Sequence, residues 1–506
     1  MNKESLREKH FLRFRYRAML SYTGAILAIC GMLMLTPLLL LPANPGELAH
    51  IWAFVTPAAV LLVGGMMLSR IFQPPEPIGL NVQEGGVIVL LSWITVIAFS
   101  AWPFVSILGL DATRAVFESV SGWTTTGLSV VDVTQAGKMV LLWRSTMQLA
   151  GGAGLAILMM SAVIGPVGAG VSSAEGRADQ LVPHVRQSAR LVLVIYGGYA
   201  TAGVIAYRLA GMSLFDAVTH SFAAVSTGGF STRVESIGFW DSAAVESITI
   251  ALMILGNLSF VTAWLFLRGK MRWVIRNGEI RLMTVLLPLA AAAVFVITCR
   301  GLYPQLGKSV RVAIFESVSA LTTTGFSTVS YGDWNSFGVF VMILLMLIGG
   351  GACSTAGGIK QFRVYMLWKI VSWELHSVFL PSKAVLERPV WEGERRIFVS
   401  DSRLSQICAY VFLYLTTYCL GTLILCASGF SVQDSLFEFA SALGTVGLSV
   451  GITSAEAPDT VLWAETAAMF LGRLEFVVVL MGVLKLSGDL RRMFSSANRS
   501  GHAKRY

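Results

Sequence analysis

The chain has 506 residues, of which 55% are hydrophobic and only 13% are charged, and its formal net charge is +9. This composition excludes an ordinary soluble domain, because several apolar runs reach the roughly 20 residues that cross a bilayer as a helix. The basic residues cluster between the apolar runs, so the net charge indicates membrane orientation and argues against a nucleic-acid ligand. The six cysteines form no C-x-x-C pair, which argues against a metal or redox centre.

The apolar runs predict an all-α polytopic membrane protein of about ten transmembrane helices. The predicted spans lie near residues 18–42, 50–72, 86–107, 138–163, 190–211, 243–268, 281–302, 335–372, 405–428 and 461–486. Ten spans place both termini on one side, and 29 of the 38 Lys and Arg residues fall on that side. The positive-inside bias makes it the cytoplasm. The basic start is interpreted as part of a retained first helix, since the following apolar run is too long for a signal peptide.

A short hydroxyl- and glycine-rich segment occurs four times, each time after an amphipathic stretch and before a long apolar run. The four segments are Thr124-Thr125-Thr126-Gly127, Ser226-Thr227-Gly228-Gly229, Thr322-Thr323-Thr324-Gly325 and Gly444-Thr445-Val446-Gly447. The amphipathic stretches begin at polar residues such as Asp111 and Gln433-Asp434. At about a dozen residues they are too short to span a bilayer, so each is predicted to re-enter as a half-helix. A single such cluster would indicate a loop, but four copies in register favour a common site.

The predicted geometry of this site suits a cation. A half-helix that descends from outside points its partially negative C-terminal end toward the membrane centre. Glycine permits a positive φ, so the neighbouring peptides can turn their carbonyls to a common axis, where they replace the water around a potassium ion. The hydroxyls of Thr124, Ser226 and Thr322 are predicted to add ligands at the inner mouth, where the fourth copy has Gly444.

A glycine-rich segment in the third repeat predicts a second functional element. Five glycines between residues 349 and 358 break a helix at mid-membrane, which is tolerated where the backbone lines a cavity or is buried in protein. Close packing of small residues between helices is the alternative. The hydroxyls and the lysine of this segment favour a gate, because a cation beside the pore repels potassium. The residues assigned to the gate are Gly349, Gly350, Gly351, Ser354, Thr355, Gly357, Gly358 and Lys360.

Ionisable residues mark two further positions. Arg473 and Glu475 lie in the middle of the last predicted span, where charges are costly and are functional candidates. One position is shared by all four repeats. It is occupied by Glu118, Glu316 and Glu438 in the first, third and fourth repeats and by His220 in the second. The carboxylates could attract cations or brace the filter backbone, and bracing is favoured. His220 could confer pH sensitivity, but a hydrogen-bonded buried histidine is the preferred interpretation.

Together these motifs resemble the Trk/Ktr/HKT superfamily of potassium transporters, with the bacterial TrkH-type uptake subunit as the nearest match, because a helical hairpin precedes the four repeats. The resemblance implies a pore of four covalently linked repeats with a potassium-channel-like filter. Glycine at all four filter positions implies potassium selectivity. The glycine-rich segment is then an intramembrane gating loop below the filter, and Arg473 contacts it. A tie from Arg473 to Glu118 or Glu316 is the alternative.

The resemblance also implies a bacterial inner-membrane location with both termini cytoplasmic, a homodimer, and a soluble nucleotide-binding regulatory ring of the TrkA type. No covalently bound cofactor is expected, and potassium is the transported ligand. The family pattern often has an arginine before the Glu-Gly that opens the first repeat, where this chain has Gln83. The predicted regions are a tail and hairpin 1–85, pore repeats 86–165, 186–270, 278–375 and 405–490, a cytoplasmic loop 376–404 with a small hairpin turned at Glu392-Gly393, and a cytoplasmic tail 491–506.

Three other functions compete with a gated conduit. A potassium/sodium or potassium/proton symporter would need a coupling site, and no buried carboxylate pair in a broken helix is evident from the sequence. The potassium-binding subunit of a P-type pump also has four such repeats, but the hairpin and the glycine-rich gate argue against it. An intramembrane enzyme is not expected, since the chain has no H-E-x-x-H, G-x-S-x-G or Walker motif. Any nucleotide regulation must therefore come from a partner.

Overall fold

A computed structural model describes residues 3–75, 80–153, 185–379, 387–392 and 395–498, and this part of the chain is nearly all helical. The helices are α1 Lys3–Leu33, α2 Ile51–Ile71, α3 Val82–Ser100, α4 Trp102–Leu108, α5 Ala112–Trp123, α6 Lys138–Ala153, α7 Val185–Leu209, α8 Leu214–Val225, α9 Ala243–Asn257, α10 Phe260–Leu267, α11 Met271–Arg276, α12 Gly278–Val294, α13 Leu306–Leu321, α14 Ser336–Ile348, α15 Gln361–Ser377, α16 Asp401–Ala427, α17 Val432–Leu443, α18 Asp459–Leu474 and α19 Phe476–Asn498. Short 3-10 turns follow α1 and precede α2, and a π-helical turn, Phe295–Cys299, extends α12.

The described residues fall into two compact units. The first takes its residues from 1–107, 155–190 and 474–506, and the second from 108–154 and 191–473. In the first unit α1 and α2 approach closely at Gly24 and Gly65, where a Cβ atom would overlap the backbone of the facing helix. Such small-residue contacts are typical of helices that pack in lipid. The basic residues 3–17, predicted to precede the first span, belong to α1 itself.

A charged contact joins two helices of the first unit. Glu84 and Asn81 form a capping box at the start of α3. Arg15 of α1 donates from Nε to Glu84 Oε1 at 2.7 Å, and Glu84 is buried. This residue therefore has a guanidinium partner although the residue before it is Gln83.

Six of the described helical segments are long and apolar enough to cross a membrane. They are His10–Leu40, Pro45–Ile71, Val82–Leu108, Leu191–Leu209, Gly278–Leu302 and Asp401–Ala427. Predicted span 335–372 is interrupted between α14 and α15, as its glycines predict. Predicted span 138–163 is helical up to Ala153, and its remainder lies outside the described residues. The total of ten spans stays a prediction.

Two spans that we predicted to be continuous are broken. Within 243–268, α9 and α10 meet at 116°, because Ser259 accepts a hydrogen bond from Thr262 N and so begins a new helix. Within 461–486, Glu475 separates α18 from α19 and has a left-handed φ of 58°. A non-glycine residue in this conformation cannot continue a right-handed helix. Neither break contains glycine or proline, which explains why the sequence pattern missed them.

The predicted cytoplasmic loop contains the small hairpin. Strands β1 Pro389–Glu392 and β2 Arg395–Phe398 pair antiparallel, with Val390 opposite Ile397. The turn residues 393–394 lie outside the described part of the chain.

Candidate functional site

Half-helices α5, α8, α13 and α17 lead into the four hydroxyl- and glycine-rich segments. Three of them begin at residues whose side chains accept a hydrogen bond from a backbone N–H, namely Asp111, Ser213 and Ser431. The expectation that Gln433 and Asp434 begin the fourth half-helix is wrong by two positions, because the Ser431 hydroxyl accepts from Asp434 N and caps the helix earlier. The four C-terminal ends are buried.

After each half-helix the backbone follows the same alternating path. The first residue of each segment is still right-handed, with φ between −74° and −80°. The second residue is left-handed in all four copies, with φ between 49° and 56°, and the glycine has φ between 72° and 101°. A left-handed conformation costs a non-glycine residue about 1–2 kcal/mol, so the fold holds four strained threonines at one site. They are Thr125, Thr227, Thr323 and Thr445.

The four segments close into one ring, here called the filter ring (residues 124–127, 226–229, 322–325 and 444–447). A Cβ atom on each glycine would overlap the carbonyl oxygen that precedes the glycine of the next repeat. These contacts run from Gly127 to Gly228 O, from Gly229 to Thr324 O, from Gly325 to Val446 O and from Gly447 to Thr126 O. The order of repeats around the ring is therefore the order along the chain. Glycine is required here by both its φ and its neighbour.

The hydroxyls predicted to line the inner mouth donate to their own half-helices. Thr124, Ser226 and Thr322 donate to carbonyls of these helices at 2.7–2.8 Å, and so supply donors that C-terminal carbonyls need. A hydroxyl oxygen that donates its hydrogen keeps lone pairs for a cation, so the ligand role of these oxygens stays a prediction. The side chains of the following residues, Thr227 and Thr323, reach the glycine-rich segment instead.

The shared position in the half-helices braces the chain beyond the filter ring. Each carboxylate accepts a backbone N–H from the segment that follows the filter ring, about a dozen residues later in the chain. These bonds are Val130 N to Glu118 at 3.1 Å, Thr328 N to Glu316 at 2.8 Å and Val450 N to Glu438 at 2.9 Å. The observed contacts are those of the bracing role that the sequence favoured.

His220 occupies the equivalent position in the second repeat. Its Nδ1 lies 2.8 Å from Asp216 O, and its Nε2 lies 2.9 Å from the Ser231 hydroxyl. A carbonyl can only accept, so Nδ1 carries a proton and Nε2 is free to accept from the serine. His220 is fully buried and stacks on Phe326. Both ring nitrogens have partners, as in the preferred interpretation.

The glycine-rich segment, here called the gating segment (residues 349–360), connects α14 to α15 without helical structure. Its first and last residues, Gly349 and Lys360, both have positive φ. Gly350 N donates to Gly357 O at 3.1 Å and so closes the segment on itself. The segment is also held from outside, because Gly351 N donates to Asn257 Oδ1 at 2.9 Å and Ala352 N donates to Glu279 Oε1 at 2.7 Å.

The gating segment contacts the strained threonines of the filter ring. Gly357 N donates to the Thr323 hydroxyl at 2.7 Å, and the Thr227 hydroxyl donates to Thr355 Oγ1 at 3.1 Å. A Cβ atom on Gly357 would overlap the Thr445 hydroxyl. The segment of one repeat therefore touches three walls of the ring from the side of the half-helix ends.

Arg473 joins the gating segment to the first repeat. Its Nη1 donates to Thr355 O at 3.0 Å and its Nη2 donates to Gly151 O at 2.6 Å. This is the contact that the resemblance implied. The alternative tie from Arg473 to Glu118 or Glu316 does not form among the described residues. Glu118 pairs with Arg144, and Glu316 accepts from Thr328 N and the Tyr331 hydroxyl.

Comparison with known proteins places this architecture in a family. A family model described as TrkH, cation transport protein, matches residues 59–489. The chain belongs to the TrkH family. An uncharacterized cation transporter of Methanocaldococcus jannaschii is 30% identical over 465 residues, covering 90% of this chain and 93% of the relative. The Trk system potassium uptake protein TrkG of Escherichia coli is 31% identical over 419 residues, covering 80% and 85%.

A solved structure agrees with this assignment. The crystal structure of the potassium transporter TrkH from Vibrio parahaemolyticus superposes with a TM-score of 0.79 at 27% identity, covering 92% of this chain and 98% of that chain. The chain is thus a nearly all-helical, multi-pass membrane protein of the TrkH family, which is a class of transporters and not of enzymes.

In this TrkH-family chain a cavity of about 760 Å³ opens beside the filter ring, and no residue of the gating segment lines it. All four ring glycines line it, together with the segments that return after them. Its charged lining residues are Asp132, Arg144, Arg233 and Glu235. The ring therefore separates this cavity from the gating segment.

Two buried residues of α6 that contact the filter region were missed by sequence analysis. Arg144 donates from Nε to Glu118 at 2.7 Å and from Nη1 to Ser231 O at 3.2 Å, so it links the first two repeats. Gln148 donates to the ring carbonyl Gly228 O and accepts from a neighbouring backbone N–H. An arginine inside an apolar run was the available signal for the first. Nothing in the sequence pattern distinguishes Gln148.

Proposed function

We propose that this chain takes up potassium ions through the filter ring. Four carbonyl-bearing segments in one closed ring, each with an alternating backbone, are the observation that supports it most directly. Such a ring replaces the hydration shell of potassium without any charged side chain. The relatives named potassium uptake proteins support the same ion. Potassium is the transported ligand, bound by residues 124–127, 226–229, 322–325 and 444–447.

We also propose that the gating segment controls this path. It lies against the second threonines of three walls, so an ion that leaves the ring on this side meets Thr355 and Gly357. Opening requires these hydrogen bonds and the Arg473 contact to Thr355 O to break together. The contacts to Asn257 and Glu279 lie at the other end of the segment and hold it during this motion.

The cellular setting is proposed on the charge pattern and on family membership. The distribution of Lys and Arg favours cytoplasmic termini in a bacterial inner membrane. A homodimer and a soluble nucleotide-binding regulatory ring of the TrkA type are the proposed assembly. The chain itself carries no nucleotide motif and no covalent cofactor is proposed, so the regulatory ligand would bind the partner.

Ion flux through the purified protein in liposomes tests the filter assignment. Gly127→Ser and Gly325→Ser should reduce the preference for potassium over sodium by at least about tenfold, since each Cβ atom displaces a ring carbonyl at a cost of more than about 1.4 kcal/mol. Both glycines have positive φ and a carbonyl beside the new atom.

Gly429→Ser is the matched control. Gly429 has a φ of 99°, close to the 96° of Gly127, but no atom lies near its added Cβ. Serine at this position bears similar backbone strain without touching the ring. The preference of the Gly429→Ser variant for potassium over sodium should therefore equal the wild-type value. An unchanged preference in Gly127→Ser and Gly325→Ser would rule out the filter ring as the selectivity site.

A further inference from the structure

The brace of the fourth repeat differs from the other three because it contains two carboxylates. Glu438 of α17 is fully buried and accepts four hydrogen bonds. They come from the hydroxyls of Ser449 and Thr453 and from the N–H groups of Val450 and Thr453. An ionised carboxylate has acceptor sites for about four donors. The acceptor sites of Glu438 are therefore all taken by donors.

Glu465 of α18 is the second carboxylate, and it has almost no donors. It is fully buried. Its Oε2 lies 3.1 Å from the Thr453 hydroxyl, and its Oε1 has no hydrogen-bond partner among the described residues. Neither Glu438 nor Glu465 forms an ion pair within that part of the chain. This buried pair was not evident from the sequence, because its two members lie on different helices, α17 and α18.

The Thr453 hydroxyl cannot satisfy both carboxylates with its single hydrogen. The hydroxyl has one hydrogen, and two carboxylates contact its oxygen. If the hydroxyl donates to Glu438, then Glu465 must donate to the hydroxyl, because two oxygens without a hydrogen between them repel. We propose that Glu465 binds a proton and that the chain Glu465–Thr453–Glu438 is a proton-binding site behind the fourth wall of the filter ring.

The other charged groups around this pair do not neutralise it. α14, which packs against α17, has no ionisable residue. From α16 the Tyr418 hydroxyl donates to Leu436 O, and the ring of Tyr331 packs on Phe437. Arg114 of α5 pairs with Asp459 at the start of α18, six residues before Glu465.

In the other three repeats the residue at the position of Glu438 has a different partner, or is not a carboxylate. Arg144 neutralises Glu118 in the first, an imidazole replaces the carboxylate in the second, and the Tyr331 hydroxyl donates to Glu316 in the third. The proton of Glu465 takes the place of these partners in the fourth repeat. A second buried anion beside Glu438 is disfavoured, so one proton stays with the pair.

Loss of this proton acts on the filter ring through the chain. A second buried anion breaks the Thr453 bridge. Glu438 also holds Ser449 and Val450, which lie two and three residues after Gly447. Since this step rests on the proposed function, the consequence is a fourth wall that loosens above a threshold pH. Potassium is then less well distinguished from sodium. The proton stays in the protein and is not carried with the ion.

Flux of potassium and sodium through the full-length protein in liposomes, with equal pH on both sides, tests the proposal. Between about pH 6 and about pH 9 the wild-type preference for potassium should fall by up to about tenfold for each pH unit above the threshold. In Glu465→Gln the preference should stay constant, because the amide donates to Thr453 at every pH. Glu246→Gln is the control, since buried Glu246 is ion-paired with Arg311 and its replacement should leave the pH profile intact.

A second measurement does not depend on transport. The infrared difference spectrum of wild type minus Glu465→Gln should contain the C=O stretch of a protonated carboxyl group at neutral pH and lose it in alkali. Absence of that band, or an alkaline fall that persists in Glu465→Gln, overturns the proton site. If the wild type distinguishes the two ions at no pH, the proposed function itself fails, which is a separate result.

Discussion

At the scale of single residues, the four walls of the filter ring share a backbone but differ in what surrounds it. An ion pair braces the first wall, an imidazole the second, a carboxylate with a phenol the third and two carboxylates the fourth. The ring carbonyls differ too, because Gly228 O accepts a hydrogen bond from Gln148. The walls therefore do not contribute equally to ion binding, unlike those of a ring made from identical chains.

Gln148 is predicted to tune selectivity through that carbonyl. Replacing Gln148 with methionine keeps the length of the side chain but removes the donor to Gly228 O and the acceptor for Phe230 N. A net hydrogen bond is worth about 0.5–1.5 kcal/mol, so the potassium-to-sodium flux ratio should fall by about 2–10-fold. Ser145→Ala on the same helix is the control, because the Ser145 hydroxyl bonds only to its own helix. Equal ratios for both variants would contradict the prediction.

At the scale of elements, the broken helices of the second unit supply one another's missing hydrogen bonds. The α9–α10 break leaves Gly256 O without its helical donor, and Thr355 of the gating segment donates to it at 2.9 Å. In turn, Gly351 N of the gating segment donates to Oδ1 of Asn257, the last residue of α9. In lipid each unsatisfied backbone group is costly, so neither interruption is stable without the other. Under the proposed gating, opening of the segment therefore involves the α9–α10 corner as well.

Arg473 provides the direct test of gating. Arg473→Met keeps the apolar stem and removes the hydrogen bonds to Thr355 O and Gly151 O. Charge-assisted hydrogen bonds are worth about 1.5–3 kcal/mol, so the open fraction, and with it potassium flux, should rise by about 10–100-fold. The potassium-to-sodium ratio should not change, since Arg473 does not contact the ring in any of these bonds. Arg208→Met is the control because Arg208 donates only locally, to Met212 O. Lower flux in Arg473→Met would exclude a holding role.

Part of this site could be predicted from the sequence and part could not. The repeated Thr/Gly pattern predicted the half-helices and the ring because glycine at a fixed offset has few structural explanations. The hydrogen bonds from the Thr124 hydroxyl and its counterparts to their own half-helices were not predicted, because the repeat pattern does not show which hydroxyls satisfy helix ends. The breaks at Ser259 and Glu475 carry no glycine or proline signal. Contacts such as Arg144 to Ser231 join residues 87 apart, and only the folded chain brings them together.

At the scale of the whole second unit, ring closure in chain order makes each repeat depend on its two neighbours. A displaced wall loses contact on both sides, so stabilising ties between repeats matter more than those within one. Arg144 is such a tie, because it holds Glu118 in its own repeat and Ser231 O in the next, with its guanidinium 3.9 Å from the Phe230 ring centroid. Only 2% of Arg144 is exposed, so these partners must balance a buried positive charge.

A double-mutant cycle on the buried pair tests this dependence. Arg144→Met leaves Glu118 buried without its cation and should lower the free energy of unfolding by about 3–5 kcal/mol. In Arg144→Met/Glu118→Gln the loss should be smaller than the sum of the single losses, because no buried charge is left unpaired. Arg114 and Asp459 form the control pair. Their side chains are 23% and 62% exposed, so the same cycle there should give a coupling of at most about 1 kcal/mol. Unfolding in mixed detergent measures all of these values. Equal couplings for the two pairs would show that the ring does not depend on the Arg144 tie.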